Sequence, residues 1–361
     1  MKFGLSFLPD ANDKDLSAVE YFQTALRLAE MADQAGMSTI KITEHYLHPY
    51  GGFCPDPIAF LSAVAACTQQ IRLMTGCILP VFHHPVKIAA KTAMLDAISN
   101  GRLDVGFARA YLPHEFSTFQ VSMDGSRDIF EKTIEAVIQL WTQENVSIQE
   151  FYIQNATSYP RPVQKSHPPI WGAAVMSRQS FSWLGEKGFN LLVTPPLSGL
   201  KDLPEKIAIY KESFLHAHPN KKPRVTLSMP LLIAENQAKA IQLGDQYLKQ
   251  YIDVWSSATE SWSTHSSTDY PGYSGLGAIL RANTPEKMRH NQQAFIGTPH
   301  QIIDQISALD DFLEVDQFIW QIDFGAQPSA VSQNTVELFI EKVMPVLNNK
   351  IKEEHDAIQC N

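Results

Sequence analysis

His45 follows an expected strand, residues 38–43, with Glu44 immediately before it. An imidazole exchanges protons near neutral pH, so a histidine at a strand end is a candidate acid or base. The neighbouring carboxylate could orient it or could simply be a satisfied polar group. The chain has 12 histidines, so position rather than residue type singles this one out. His83 and His84 share a turn, and at least one of them reads as structural. A second chemistry needs positive charge. Arg109 leaves a strand, Arg127 lies in the first turn of a helix, and Ser177 and Ser180 open another helix. Helix N-termini offer free N–H groups and a positive dipole end, which together with arginines suit a phosphate. Ser177 alone reads equally well as an ordinary N-cap. The set matters more than any member, because three sites must converge on one anion. No H-E-x-x-H or other ligand spacing occurs, so no metal is expected.

The unit that must position these groups runs over residues 71–109. An apolar run, Ile71 to Leu79, ends at Pro80 and reads as a buried strand. Pro85 suits the first turn of a helix, and Ile88, Ala89, Ala93 and Leu95 then recur at helical spacing. Asn100-Gly101 stops that helix, since glycine accepts the left-handed conformation. A second strand, residues 103–108, delivers Arg109 at its C-terminal end, where parallel α/β architectures bind ligands.

The same alternation fills the rest of the chain. Strands are expected at 1–7, 38–43, 170–174, 190–194, 225–234 and 317–322. Helices are expected at 16–35, 56–68, 126–141, from about 177, and at 235–255, 298–312 and 331–347. Residues 151–169, rich in aromatics and prolines, read as an excursion hairpin. Eight strands alternating with helices fit a (β/α)8 TIM barrel, with a long loop insertion after strand seven. No GxGxxG or GxxxxGK[ST] follows a strand, which argues against a Rossmann or P-loop domain. The insertion, residues 256–297, reads as a lid over the catalytic face more than as a linker. The expected organisation is one domain over residues 1–361, with a C-terminal tail at 350–361.

Composition limits the partners. The 361 residues are 44% hydrophobic with a formal net charge of −9, which argues against nucleic acid and an anionic membrane surface. An anionic cofactor then needs locally placed arginines. Four cysteines without a CxxC pair read as reduced thiols of a cytoplasmic protein. The N-terminal run is broken too soon by Pro9 for a signal peptide. No apolar run approaches the roughly 18 residues of a membrane span.

These stretches carry a resemblance. Glu44-His45, the turn from Leu79-Pro80 to His84-Pro85-Val86, and the strand from Gly101-Arg102-Leu103 to Arg109 follow one another in order. Asp323-Phe324-Gly325, Pro328, Leu338-Phe339 and Val343-Met344-Pro345 complete the series. Together they resemble the bacterial luciferase-like, flavin-dependent monooxygenases over nearly the whole chain. The resemblance implies that His45, with Glu44 beside it, is catalytic. It implies that Arg109, Arg127, Ser177 and Ser180 hold a flavin phosphate. It further places Gly76, Cys77, Ala108, Ala174 and Met176 against the flavin. Gly76-Cys77 matches a dipeptide that often has a cis bond in relatives, and Ala108 stands where the light-emitting alpha subunit has a reactive cysteine. The implied cofactor is reduced FMN from a separate NAD(P)H:flavin reductase, with O2 as co-substrate. The small organic substrate (an aldehyde, ketone or natural-product intermediate) would enter over Tyr111, beneath the lid. A homodimer through an outer helix pair is implied as well. Two alternatives stay open: a deazaflavin (F420)-dependent oxidoreductase of the same fold, and a non-catalytic flavin-binding protein.

Overall fold

The computed structural model describes residues 1–12, 14, 16–194 and 200–349; the expected tail at 350–361 lies outside the described residues. Its strands are β1 (Lys2–Phe7), β2 (Thr39–Ile42), β3 (Arg72–Thr75), β4 (Leu103–Phe107), β5 (Val146–Ile148), β6 (Ile153–Ala156), β7 (Ile170–Ala173), β8 (Asn190–Val193), β9 (Val225–Ile233), β10 (Phe295–Gly297) and β11 (Gln317–Gln321). Its helices begin with α1 (Ala18–Gln34), α2 (Pro57–Cys67), α3 (Pro85–Ile98), α4 (Pro113–Phe119), α5 (Ser126–Thr142) and α6 (Arg178–Glu186). They continue with α7 (Leu203–Ala217), α8 (Gln237–Ala258), α9 (Leu276–Arg281), α10 (Pro285–His290), α11 (Pro299–Leu313) and α12 (Ser329–Leu338).

Eight parallel strands close on themselves in the order β1-β2-β3-β4-β7-β8-β9-β11 and back to β1. This is the expected TIM barrel. Alternation along the strands sorts side chains between its two faces. Ile40 and Ile42 of β2 join the large core shared with the helices. Met74, Trp171 and Ile319 form a separate buried cluster inside the barrel. Lys41, between Ile40 and Ile42, therefore points inward, in register with Ser6 on β1.

Local chemistry sets the element ends. Asp56 caps α2 by accepting the Ile58 N–H, with Pro57 in the first turn. Thr298 and Gln301 form a reciprocal capping box on α11. Gly101, with φ +80°, turns the chain out of α3. Beneath it, the buried Asp96 carboxylate accepts the Val163 and Gln164 N–H groups.

Several elements differ from expectation. The antiparallel hairpin is β5–β6, pairing Val146 with Ala156. It starts before the expected 151–169, and the later part of that stretch is irregular chain pinned by Arg161 to the Leu140 and Gln143 carbonyls. Helices α4 and α7 were not expected. The insertion holds α9, α10 and the short strand β10, which extends β9 in parallel. The closing helix starts at Ser329 and contains a wide π-helical turn at Phe339–Val343.

Candidate active site

The C-terminal ends of the barrel strands open into one cavity of about 740 Å³. All 12 residues singled out from the sequence line it: Glu44 and His45 beyond β2, Gly76 and Cys77 beyond β3, Ala108, Arg109 and Tyr111 beyond β4, Arg127 from α5, Ala174 and Met176 beyond β7, and Ser177 and Ser180 at the start of α6. The Gly76–Cys77 peptide bond is cis. An open, polar depression of about 580 Å³ beside α10 contains none of them.

At one end of the cavity hydrogen-bond donors converge. The Arg109 guanidinium donates to Ser126 Oγ at 3.5 Å and lies 4.4 Å over the Tyr270 ring. Its Nε is buried without a partner. Arg127 Nη2 donates to Ser180 Oγ at 3.4 Å. Burial, and then the charge of Arg109, pull the Arg127 pKa below the usual arginine range. Ser177 caps α6 without using its hydroxyl. Two carboxylates meet this set: Asp269 of the insertion accepts the Arg127 backbone N–H at 3.0 Å and stands 3.8 Å from Arg109, and Glu131 stands 3.8 Å from Arg127. Two adjacent guanidiniums, one with its Nε unpartnered, and a helix N-terminus gather donors that fit a phosphate dianion.

His45 sits away from that end. Its Nδ1 is 3.1 Å from Glu115 Oε1, and the same oxygen accepts the Tyr46 N–H at 2.9 Å. With Glu115 as a carboxylate, which only accepts, Nδ1 is the donor and Nε2 is free to accept. Glu115 is fully buried, and its Oε2 has no partner. Glu44 is saturated by comparison. It accepts from Tyr46 Oη at 2.7 Å and from the Leu79 N–H at 3.3 Å, and it pairs with His83 Nε2 at 2.6 Å. His84 caps α3, so both turn histidines have structural partners.

Aromatic rings wall the cavity near His45. Tyr50 stacks on Trp255 at 5.9 Å with an interplanar angle of 8°. Trp255 Nε1 donates to Tyr111 Oη at 3.0 Å. Tyr270 and Tyr273 from the insertion complete the wall, together with Thr268, Asp269 and Pro271.

Sequence reasoning missed Glu115, Lys41 and Asp269. Glu115 follows Pro113 in a seven-residue helix too short to show a stripe. Lys41 gave a signal, its alternation with Ile40 and Ile42, which only barrel closure turns inward.

The luciferase-like monooxygenase family pattern matches residues 1–313. The chain belongs to that family. Among luciferase-like relatives, the oxygenase component of the flavin-dependent trigonelline monooxygenase of Acinetobacter baylyi is 26% identical, over 100% of this chain and 99% of its own. A crystal structure of a monooxygenase from Streptomyces bottropensis is 34% identical, with a TM-score of 0.85, covering 96% of this chain and 100% of that one. The oxygenating constituent of 3,6-diketocamphane monooxygenase from Pseudomonas putida, in complex with FMN, shares the fold. Its TM-score is 0.77 at 20% identity, over 96% of this chain and 98% of its own.

Proposed function

We propose that this chain is the oxygenase component of a two-component monooxygenase, using reduced FMN and O2 to oxygenate a small organic substrate. The observation behind this reading is the convergence of Arg109, Arg127, Ser177 and Ser180 in the same cavity as the His45–Glu115 pair. Arg109, with its free Nε, and Arg127 would hold the phosphate, with the Ser177 and Ser180 hydroxyls and the α6 N-terminus beside them. Gly76, Cys77, Ala108, Ala174 and Met176 shape the slot for the ring. Reduced FMN, when bound, supplies the electrons that activate oxygen. Glu115 holds the His45 ring through Nδ1, and Nε2 exchanges a proton with the reacting molecule. Glu44 braces the loop through Tyr46, His83 and Leu79. Tyr50, Tyr111, Trp255, Tyr270 and Tyr273 exclude water and present flat faces to the substrate. The barrel acts as one domain, with 256–297 as its lid.

A separate NAD(P)H:flavin reductase provides the reduced cofactor, since no dinucleotide fingerprint is present. Among the described residues no helix is long and apolar enough to cross a membrane. We take the protein to be cytoplasmic and homodimeric, with Met94 and Ile98 of α3 exposed for an outer helix contact. Trigonelline, the compound named for the 26% identical relative, is the first substrate to try, because a planar cationic ring suits an aromatic wall.

The test supplies the chain with FMN, NADH, a flavin reductase, 18O2 and a panel of ring compounds that includes trigonelline. One labelled oxygen atom in product, only when chain and reductase are both present, supports the proposal. Enzymes that use coenzyme F420 share this barrel; substrate turnover with reduced F420 and no oxygen uptake would replace it.

A further inference from the structure

Lys41 is a third cation facing the cavity. Unlike Arg109 and Arg127, it has no ion pair among the described residues. It is 5% exposed. A buried ammonium without a counter-charge is far more costly than a buried neutral group. Burial pulls its pKa below the ordinary lysine range, against weaker attractions from Cys77 and Asp323. Neither of these is a partner. Burial pushes the Cys77 thiol up to about 12, which keeps it neutral. Asp323 is engaged elsewhere, by the Leu8 N–H at 3.1 Å and Tyr21 Oη at 2.8 Å.

The lysine is held in place. Its stem packs over Gly76, where any Cβ would collide with it. Its ammonium has one hydrogen bond, 2.9 Å to Ser6 Oγ, out of three available donors. Gln321 flanks Ser6 in register from the other side. It is also 5% exposed, and its Nε2 is buried with no partner. Ser6, Lys41 and Gln321 all line the cavity. Unsatisfied donors on neighbouring strands, one of them charged, call for a ligand that accepts and is negative.

We propose that Lys41 and Gln321, on either side of Ser6, form an anion subsite on the cavity floor, separate from the arginine pair. Its ligand is a delocalised anionic edge of a bound molecule. Two molecules present such an edge: the deprotonated pyrimidine ring of reduced flavin, and an organic substrate bearing a carboxylate. The first source rests on the flavin reading above; the second does not.

Lys41→Met keeps the stem and removes the charge. In the flavin arm, oxidised FMN binds the variant as it binds the unaltered protein, while reduced FMN binds about tenfold more weakly. The midpoint potential of bound FMN then falls by about 30 mV for each tenfold. In the carboxylate arm, benzoate is titrated into FMN-loaded protein, whose arginines are already occupied. Lys41→Met loses benzoate affinity about tenfold and keeps its FMN potential. Either selective loss supports the subsite and names its ligand. A folded Lys41→Met with unchanged FMN potential and unchanged benzoate binding overturns it. Gln321→Leu, which removes only a neutral donor, gives a smaller loss in the same arm and keeps the question open to measurement if Lys41→Met does not fold; no loss in either arm then overturns the subsite. If the unaltered protein takes up no FMN, the cofactor reading fails separately, and benzoate is titrated with inorganic phosphate on the arginines.

Discussion

His45 Nδ1 and Glu115 Oε1 lie 3.1 Å apart, and the carboxylate is wholly shielded from solvent. The pair joins the end of β2 to α4, so the ring that faces the cavity is aimed from a separate element. Removing one partner of such a buried pair leaves the other unsatisfied.

Glu115→Gln is expected to lower kcat by at least about tenfold and leave the affinity for reduced FMN nearly unchanged. His45→Ala should lower turnover by roughly 10²–10⁴-fold, the range for lost acid–base catalysis. If Glu115 acts through His45, the double variant is no slower than His45→Ala, since groups acting as a unit are not additive. Steady-state kinetics on the four proteins measures this. Additive losses would give Glu115 a role of its own.

Arg127→Ala should weaken FMN binding about tenfold or more, because a charge-assisted bond contributes roughly 1.5–3 kcal/mol. Riboflavin, which lacks the phosphate, should bind the variant as it binds the unaltered protein. Fluorescence titration with both flavins compares them. Equal losses would make Arg127 structural.

Asp269 sits against the donors proposed to hold a phosphate. Asp269→Asn keeps an acceptor for the Arg127 N–H and removes the charge that repels a dianion. Inorganic phosphate should therefore bind the variant several-fold more tightly by calorimetry. Unchanged or weaker binding would show that the carboxylate stands clear of the anion.

Much of this architecture was legible in the sequence, and the part that was not has physical causes. The apolar residues around β3 and β4 reflect barrel strands covered on both faces, and Pro80, Pro85 and Gly101 mark the turns. Strand β3 stops at Thr75, however, and residues 76–79 leave it beside the cavity. His45 and Arg109 were found because strand ends fix their position. Glu115 was not, because its burial is tertiary: His45 and Tyr46, just beyond β2, meet it on a short helix. Strand β10 spans three residues, which no periodicity test resolves. Pro204 in the first turn of α7 is a helix-start signal that the sequence carries.

Two buried carboxylates outside the cavity set a pH dependence of stability. Burial, opposed by bonds from the Gly325 and Ala326 N–H groups and reinforced by Asp323, raises the Asp10 pKa to about 7. Burial likewise raises Asp323 to about 6. Between the ordinary carboxylate range and these values the fold keeps protons that the unfolded chain has released. Stability from these groups is therefore complete below about pH 4 and is lost as pH rises toward 7, by at most about 1.4 kcal/mol per unit for each group. Asp10→Asn removes one titration. Urea unfolding from pH 4.5 to 8 should show the variant gaining on the unaltered protein as pH rises. A pH-independent difference would contradict the assignment.

The central claim is that this cavity takes reduced FMN. Anaerobic titration of the purified chain with photoreduced FMN, and in parallel with reduced F420, tests it most directly. The account predicts saturable, one-to-one binding of reduced FMN and much weaker binding of reduced F420. Tight binding of reduced F420 with no saturable uptake of reduced FMN would contradict it.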